Sequence, residues 1–243
     1  LWRTTRPPGS ATLATTFDVP FHAVQWVVIA YLLTSTAVVV GAGRLGDQFG
    51  ARRLLLFGIA GFAAASLACG LAPTLPLLVA ARAAQGVGAA FMLALTVALV
   101  RTTVGRERTG AAMGWLGTMS AVGTAIGPTV GGLLVASTGW RPVFLAILPL
   151  AALTLWLARR HLPREAAPAA TARERFDAAG MAWLALTLGS GALALTLAED
   201  PCGPLRLGLA AMALLGGAAF AWVERRATFP LLDLALLQDP GLR

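Results

Sequence analysis

Seven stretches of this chain contain no charged residue: Val19–Gly43, Leu54–Ala81, Ala83–Val100, Thr109–Trp140, Pro142–Ala158, Ala178–Ala198 and Leu207–Val223. A helix that crosses the hydrocarbon of a bilayer needs ~20 mostly apolar residues. It must also close its backbone hydrogen bonds internally, because lipid offers no partner. The runs therefore predict complete helices over about 24–43, 54–71, 75–100, 110–136, 141–158, 178–198 and 206–223. Strand alternation is missing, which argues against a β-barrel. The chain is 57% hydrophobic and 12% charged, against roughly 25% charged in soluble domains. Too little polar surface is left to face water. The expected fold class is all-α, a polytopic membrane protein.

A net charge of +8 could signal nucleic acid, but the placement of the basic residues argues otherwise. All nineteen are arginine, and they cluster in alternate loops. Arg44, Arg52 and Arg53 fall in one, then Arg101, Arg106 and Arg108, then Arg159, Arg160, Arg164, Arg173 and Arg175, then Arg225, Arg226 and Arg243. The intervening loops hold only Arg141 and Arg206. Arginine excess marks the cytoplasmic side. The first complete helix should enter from outside and the C-terminal end should lie in the cytoplasm. The partner is thus a lipid bilayer and not nucleic acid. The lysine-free, Ala-, Gly- and Arg-rich composition points to a GC-rich bacterial genome, hence the bacterial cytoplasmic membrane.

Trp26 and Trp140 near outer ends, with Trp115, Trp156, Trp183 and Trp222 near inner ends, fit an aromatic belt. Cys69 and Cys202 form no framework or metal spacing. His22 and His161 lie near the membrane surfaces, outside the predicted helices. No metal or catalytic constellation stands at membrane depth, so an intramembrane enzyme is not expected.

The segment "GTAIGPTVGG" (Gly123–Gly132) puts four glycines and a proline into a predicted span. Gly123, Gly127 and Gly131 recur every four residues and line one stripe, where a neighbouring helix backbone can approach closely in lipid. Pro128 removes a backbone hydrogen bond and can bend the helix. Tight packing alone would explain the stripe; a hinge or seal is the alternative, to which the Gly-Pro pair and Gly132 add weight.

Arg82 lies roughly two turns into its helix, ~9 Å below the outer end. A guanidinium at that depth faces a cavity or a partner, unless it snorkels back to the interface. Gln85 and Gly86 follow at i+3 and i+4 on the same face.

"GRLGDQFGARR" (Gly43–Arg53) resembles the loop signature that follows the second helix in the major facilitator superfamily. "RAAQGVGAA" (Arg82–Ala90) is similar to that superfamily's fourth-helix signature, and "GTAIGPTVGG" followed by "GWRPVF" to its fifth-helix antiporter signature. "PLLDLALLQDPG" (Pro230–Gly241), after two extra helices, resembles the fourteen-helix drug:proton antiporter branch. Gln48 and Ala51 depart from the basic residues usual in the loop signature.

The resemblance implies proton-coupled efflux of small amphipathic or cationic drug-like compounds, with no cofactor and the proton gradient as energy source. It divides the chain into a remnant of a first helix and outer loop (1–22), an N-terminal bundle (23–158), a cytoplasmic linker (159–177), an extra two-helix hairpin (178–223) and a cytoplasmic segment (224–243) leading to a second bundle. It makes Arg82, Gln85 and Gly86 the proton-coupling path, with Arg82 tuning an acid from the first helix. It makes Gly123, Gly127, Pro128, Gly131 and Gly132 the antiporter hinge between halves.

In the loop, Gly43, Gly46 and Gly50 should permit a tight turn, Asp47 should cap a helix N-terminus, and Arg52 and Arg53 should pair with Asp47 or lipid phosphate. Together Gly43, Asp47, Gly50, Arg52 and Arg53 would form a cytoplasmic gate. Because the first helix and the second bundle are expected to be largely absent, the glycine stripe and Arg82 should face lipid or another chain. A remnant that transports nothing, or a half that acts only with another chain, is the alternative function.

Overall fold

The computed structural model describes residues 16–162, 187, 190–191 and 204–226. The predicted remnant at 1–15, the linker beyond 162, most of the predicted span 178–198 and the segment from 227 onward lie outside the described residues. Seven helices are described: α1 (Phe21–Phe49), α2 (Ala51–Leu71), α3 (Leu75–Thr103), α4 (Arg106–Thr138), α5 (Arg141–Leu145), α6 (Ile147–His161) and α7 (Pro204–Arg226). Connections of one to three residues join α1 to α6; helices α1 to α5 alternate in direction as antiparallel neighbours, and α6 continues α5 as one span. One end of the bundle therefore gathers Arg52, Arg53, Arg101, Arg106, Arg159 and Arg160.

Four stretches are long and apolar enough to cross a membrane: α2, α3, α4 and α5–α6 taken together. Helix α1 adds a fifth as a bent span, turning by 51° where Ala23–Val39 meets Gly41–Phe49. The predicted spans at 54–71, 75–100 and 110–136 all fall inside observed helices, which extend further at one or both ends. Flanking arginines and threonines continue the hydrogen-bond ladder past the apolar run. His22 and His161 consequently sit inside terminal helical turns, not outside the helices as expected.

One expectation gains a detail and another fails. The span expected at 141–158 is present as Arg141–His161, with its hydrogen-bond ladder broken locally at Ala146. Pro149 is the cause: it offers no N–H to the Leu145 carbonyl, and its ring crowds that oxygen. The loop expected over Gly43–Arg53 is not a loop. Helix α1 runs on through Gly43, Gly46 and Asp47 to Phe49, and the reversal takes place at Gly50. Gly50 has φ 93°, a region open to glycine and strained for other residues. Its N–H still closes onto the Gly46 carbonyl at 2.9 Å.

Helix α3 is the axis of the bundle, with α1 and α2 packed along it. Glycines set how close they come. A methyl group at Gly88 would lie 2.8 Å from the Phe62 nitrogen and 2.9 Å from the Gly58 oxygen, so α2 and α3 touch backbone to backbone. At Gly86 it would lie 2.6 Å from the Tyr31 oxygen, so α1 meets α3 in the same way. Two residues apart on a helix means nearly opposite faces, which is how one short stretch of α3 seats both neighbours.

Apolar side chains form two layers. Toward the end opposite the arginines, Val24, Val27, Cys69, Leu75, Leu78, Ala81 and Trp140 pack together. Toward the arginine-rich end, Ala42, Leu55, Ile59, Phe91, Leu95 and Leu99 do so. Trp140 is buried against Phe17 and Phe144 instead of joining an interfacial belt, because the Gly139 turn (φ 88°) directs the chain back over α2. Trp115 and Trp156 are exposed, as a belt requires.

Burial departs from that of a water-soluble domain chiefly at the surface. Gln85 and Ser66 are among the most deeply buried side chains, while Phe57, Leu93, Trp115, Leu133 and Leu150 are exposed. Lipid accepts such an apolar surface; water does not. The protein is a polytopic all-α membrane protein.

Helix α4 differs from the rest. No residue along it is buried, and it touches α3 and α5 only lightly. Beyond it, Gly216 and Gly217 of α7 rest against Thr187, and Gly191 faces Ala213. The two stretches predicted as a hairpin therefore meet at these described positions.

Candidate functional site

Between the two apolar layers lies a polar thread built from three helices. It begins on α2, where the Ser66 hydroxyl donates to the Phe62 carbonyl at 2.7 Å. Having spent its only proton, that hydroxyl can only accept, and it takes the Gln85 Nε2 donor at 2.7 Å. This fixes the amide of Gln85, so Oε1 turns toward Arg82 and accepts from Nη1 at 2.5 Å. The other end of the guanidinium, Nε, donates to the Val27 carbonyl of α1 at 3.0 Å.

Two aromatic rings face the same guanidinium. The Tyr31 ring centroid is 4.3 Å from its central carbon and the Phe144 centroid 5.7 Å. Both are within cation–π range. Arg82 thus turns into the bundle, which excludes the snorkelling alternative. It also corrects the expectation that Arg82 would face lipid: Gly86 lets α1 settle against α3, and Gly70 seats Leu145 of α5 on α2. Among the described residues no carboxylate pairs with it.

Of the residues the sequence singled out here, Arg82, Gln85 and Gly86 come together as expected. Ser66, Tyr31 and Phe144 were missed. Each lies on a different helix from Arg82, and a pattern along one helix carries no signal for them.

The antiporter segment is uncovered. A methyl group at Gly123, Gly127, Gly131 or Gly132 would meet nothing within 4 Å among the described residues. Pro128 lies within α4, which continues unbroken from Arg106 to Thr138. The proposed hinge has no packing partner among the described residues.

The gate residues need the most correction. Asp47 is exposed within α1 and caps nothing; Gly50 stands at the N-cap of α2, with no side-chain cap bond. Gly43 and Gly46 make no turn. Gly46 instead lies under the Leu95 side chain, where a larger residue would collide. Arg52 does not reach for Asp47; its Nη2 donates to the Arg159 carbonyl at 2.9 Å, tying the start of α2 to the last turn of α6. Carbonyls at a helix C-terminus lack intrahelical donors, so an arginine is a natural partner. Arg53 is exposed. At the opposite end Arg141 reaches the Ala72 carbonyl at 3.3 Å and stacks on Trp140.

The sequence profile of the Major Facilitator Superfamily matches residues 3–237. The chain is 37% identical to the multidrug resistance protein Stp of Mycobacterium tuberculosis, over 92% of this chain and 42% of that protein. It is 33% identical to the methylenomycin A resistance protein of Streptomyces coelicolor, over 96% of this chain and 49% of that protein. It is 39% identical to the tetracenomycin C resistance and export protein of Streptomyces glaucescens, over 90% and 41% respectively. The chain thus spans less than half the length of each of these curated relatives. A profile match over nearly its whole length, on a polytopic helical bundle with a buried arginine thread, establishes that this chain belongs to the Major Facilitator Superfamily of membrane transporters.

Proposed function

We propose that the whole protein exports small amphipathic or cationic drug-like compounds, drawing on the proton gradient, with this chain as its N-terminal half. The observation that carries this reading is the similarity, over nine-tenths of the chain, to proteins named for drug resistance and export. A remnant without transport finds no support in those names.

Arg82 supplies a mechanism. A guanidinium held between apolar layers acts over a longer distance than one in water, because the surrounding dielectric is low. An acidic group brought near it by other helices of the transporter would hold its proton less tightly. Moving that group relative to Arg82 would then couple proton release to substrate movement. Gln85 and Ser66 keep the guanidinium in register. Export by rocking one bundle against another around a midplane site needs a close, sliding helix contact, and the uncovered face of α4 offers one to further helices of the protein or to another chain. The Arg52–Arg159 tie lies at the end we assign to the cytoplasm, where an inward-opening movement would strain it.

Two expected results test this reading. With the whole protein in drug-sensitive bacteria, Gly127→Leu should abolish dye efflux while leaving membrane insertion intact, since the branched side chain would enter the sliding contact. Unchanged efflux would remove α4 from the mechanism. Single cysteines at Arg164 and Thr74, in a background without Cys69 and Cys202, should label from opposite faces of the membrane. Arg164 is expected on the cytoplasmic side; the reverse pattern would overturn the orientation.

A further inference from the structure

Among the described residues, hydrogen bonds hold Arg82 at two points, Nε on the Val27 carbonyl and Nη1 on Gln85. Both act close to the plane of the guanidinium. Its central carbon also lies over two aromatic rings: Tyr31 from α1 at 4.3 Å and Phe144 from α5 at 5.7 Å. We propose that Tyr31 and Phe144 are positioning residues for Arg82, an aromatic clip that fixes the tilt of the guanidinium and keeps water and lipid from its faces. The proposal deepens the reading of Arg82 as the coupling residue and rests on it.

The fold explains why these two rings reach the same cation. Gly86 is one turn beyond Arg82 on the same face of α3, and the Tyr31 carbonyl sits where a side chain at Gly86 would be. The missing Cβ lowers α1 onto α3 and carries the Tyr31 ring over Arg82. Phe144 belongs to the short α5, and its ring stands T-shaped to Trp140, with centroids 6.2 Å apart and planes at 80°. Trp140 in turn is buried against Phe17. The second jaw is therefore anchored in the apolar layer and not free to swing.

A cation away from water gains more from ring faces than an exposed one does. A planar guanidinium also stacks where an ammonium cannot. The sequence motif around Arg82 thus explains the choice of arginine only in part; the clip supplies the rest.

The test begins with chemistry that needs no transport. The purified chain in lipid nanodiscs is treated with phenylglyoxal, which condenses with accessible guanidinium groups, and each arginine is followed by peptide mass spectrometry. Arg82 should react slowly in the wild type and in Tyr31→Phe, which keeps a ring. Tyr31→Leu and Phe144→Leu should each raise its rate by about tenfold, with Arg53 unchanged. An Arg82 rate unaltered by loss of either ring overturns the clip.

Should a leucine variant lose the fold, all arginine rates rise together, and the question passes to the wild-type chain. Tyr31 is its only tyrosine, so 3-fluorotyrosine gives a single fluorine resonance. Arg82→Gln should move that line and Arg101→Gln should not; a line indifferent to Arg82 overturns the clip equally.

In the whole transporter, Tyr31→Leu should shift the pH profile of efflux as Arg82→Lys does, and add nothing on top of Arg82→Gln. Additive losses would mean that Tyr31 does not act through Arg82. If no efflux is found at all, the labelling results still judge the clip, and the transport reading alone fails.

Discussion

Gly88→Val should separate α2 from α3 and cost the bundle about 3 kcal/mol or more, the upper end of what forced overpacking does to a core. The reason is the nature of the neighbours. A methyl group at Gly88 would press on the Phe62 nitrogen and Cα and on the Gly58 oxygen, all backbone atoms that cannot rotate away. Gly46 offers the contrast, since the atom over it is the far end of the Leu95 side chain, which can move. The check is thermal unfolding of the purified chain in detergent, followed by size-exclusion chromatography. Gly88→Val should elute as aggregate or melt far below the wild type. Gly127→Val, on the open face of α4, should stay within about 0.5 kcal/mol of the parent, as surface changes usually do. Indistinguishable melts for the two variants would mean that α2 and α3 are not in backbone contact.

Arg82→Ala should lower efflux by the whole protein by about tenfold to a hundredfold, matching the ~1.5–3 kcal/mol of a hydrogen bond to a charged group. The alanine variant loses the charge and leaves both Gln85 Oε1 and the Val27 carbonyl without the donor they have now. Arg82→Lys keeps the charge but can offer only a compact ammonium in place of a fork that spans two acceptors and stacks on two rings. It should therefore lie between alanine and wild type and shift the pH dependence of efflux. Initial rates of dye efflux across a range of pH measure both effects. Near-normal efflux by both variants would leave Arg82 a structural residue that the transport cycle does not use.

The two experiments separate a packing role from a chemical one within a single helix. Gly88 and Arg82 are less than two turns apart on α3, yet only the glycine should govern whether the chain folds. Arg82 touches mostly one edge of α1 and two rings, so its loss should leave the α2–α3 contact in place. A fold that survives Arg82→Ala but not Gly88→Val is the expected pattern.

The helices themselves were legible in the sequence because their cause is local. A charge-free run of bilayer length must close its own hydrogen bonds, and that condition names a helix without reference to any neighbour. The same holds for Arg82, Gln85 and Gly86, whose spacing of three and four residues puts them on one face before any packing is known. The interruption at Ala146 was also written locally, in Pro149, although the charge-free run concealed it. The Gly43–Arg53 stretch misled for a related reason. Glycine in water weakens a helix, so three of them suggest a turn. Here Gly46 is instead a site of contact with Leu95 inside a continuing helix, and Gly50 at positive φ does the turning.

What the tertiary structure alone decided is which side chains meet across helices. Ser66, Tyr31 and Phe144 carry no mark that ties them to Arg82, since their spacing along the chain says nothing about how their helices are placed around it. Likewise Gly58 and Gly88 become partners only when two backbones are brought together, whereas the more conspicuous glycines of α4 meet nothing among the described residues. Periodicity along one helix fixes a face; the identity of what covers that face depends on contacts between segments far apart in the chain. That is why the sequence could name the arginine, and only the fold could show what holds it.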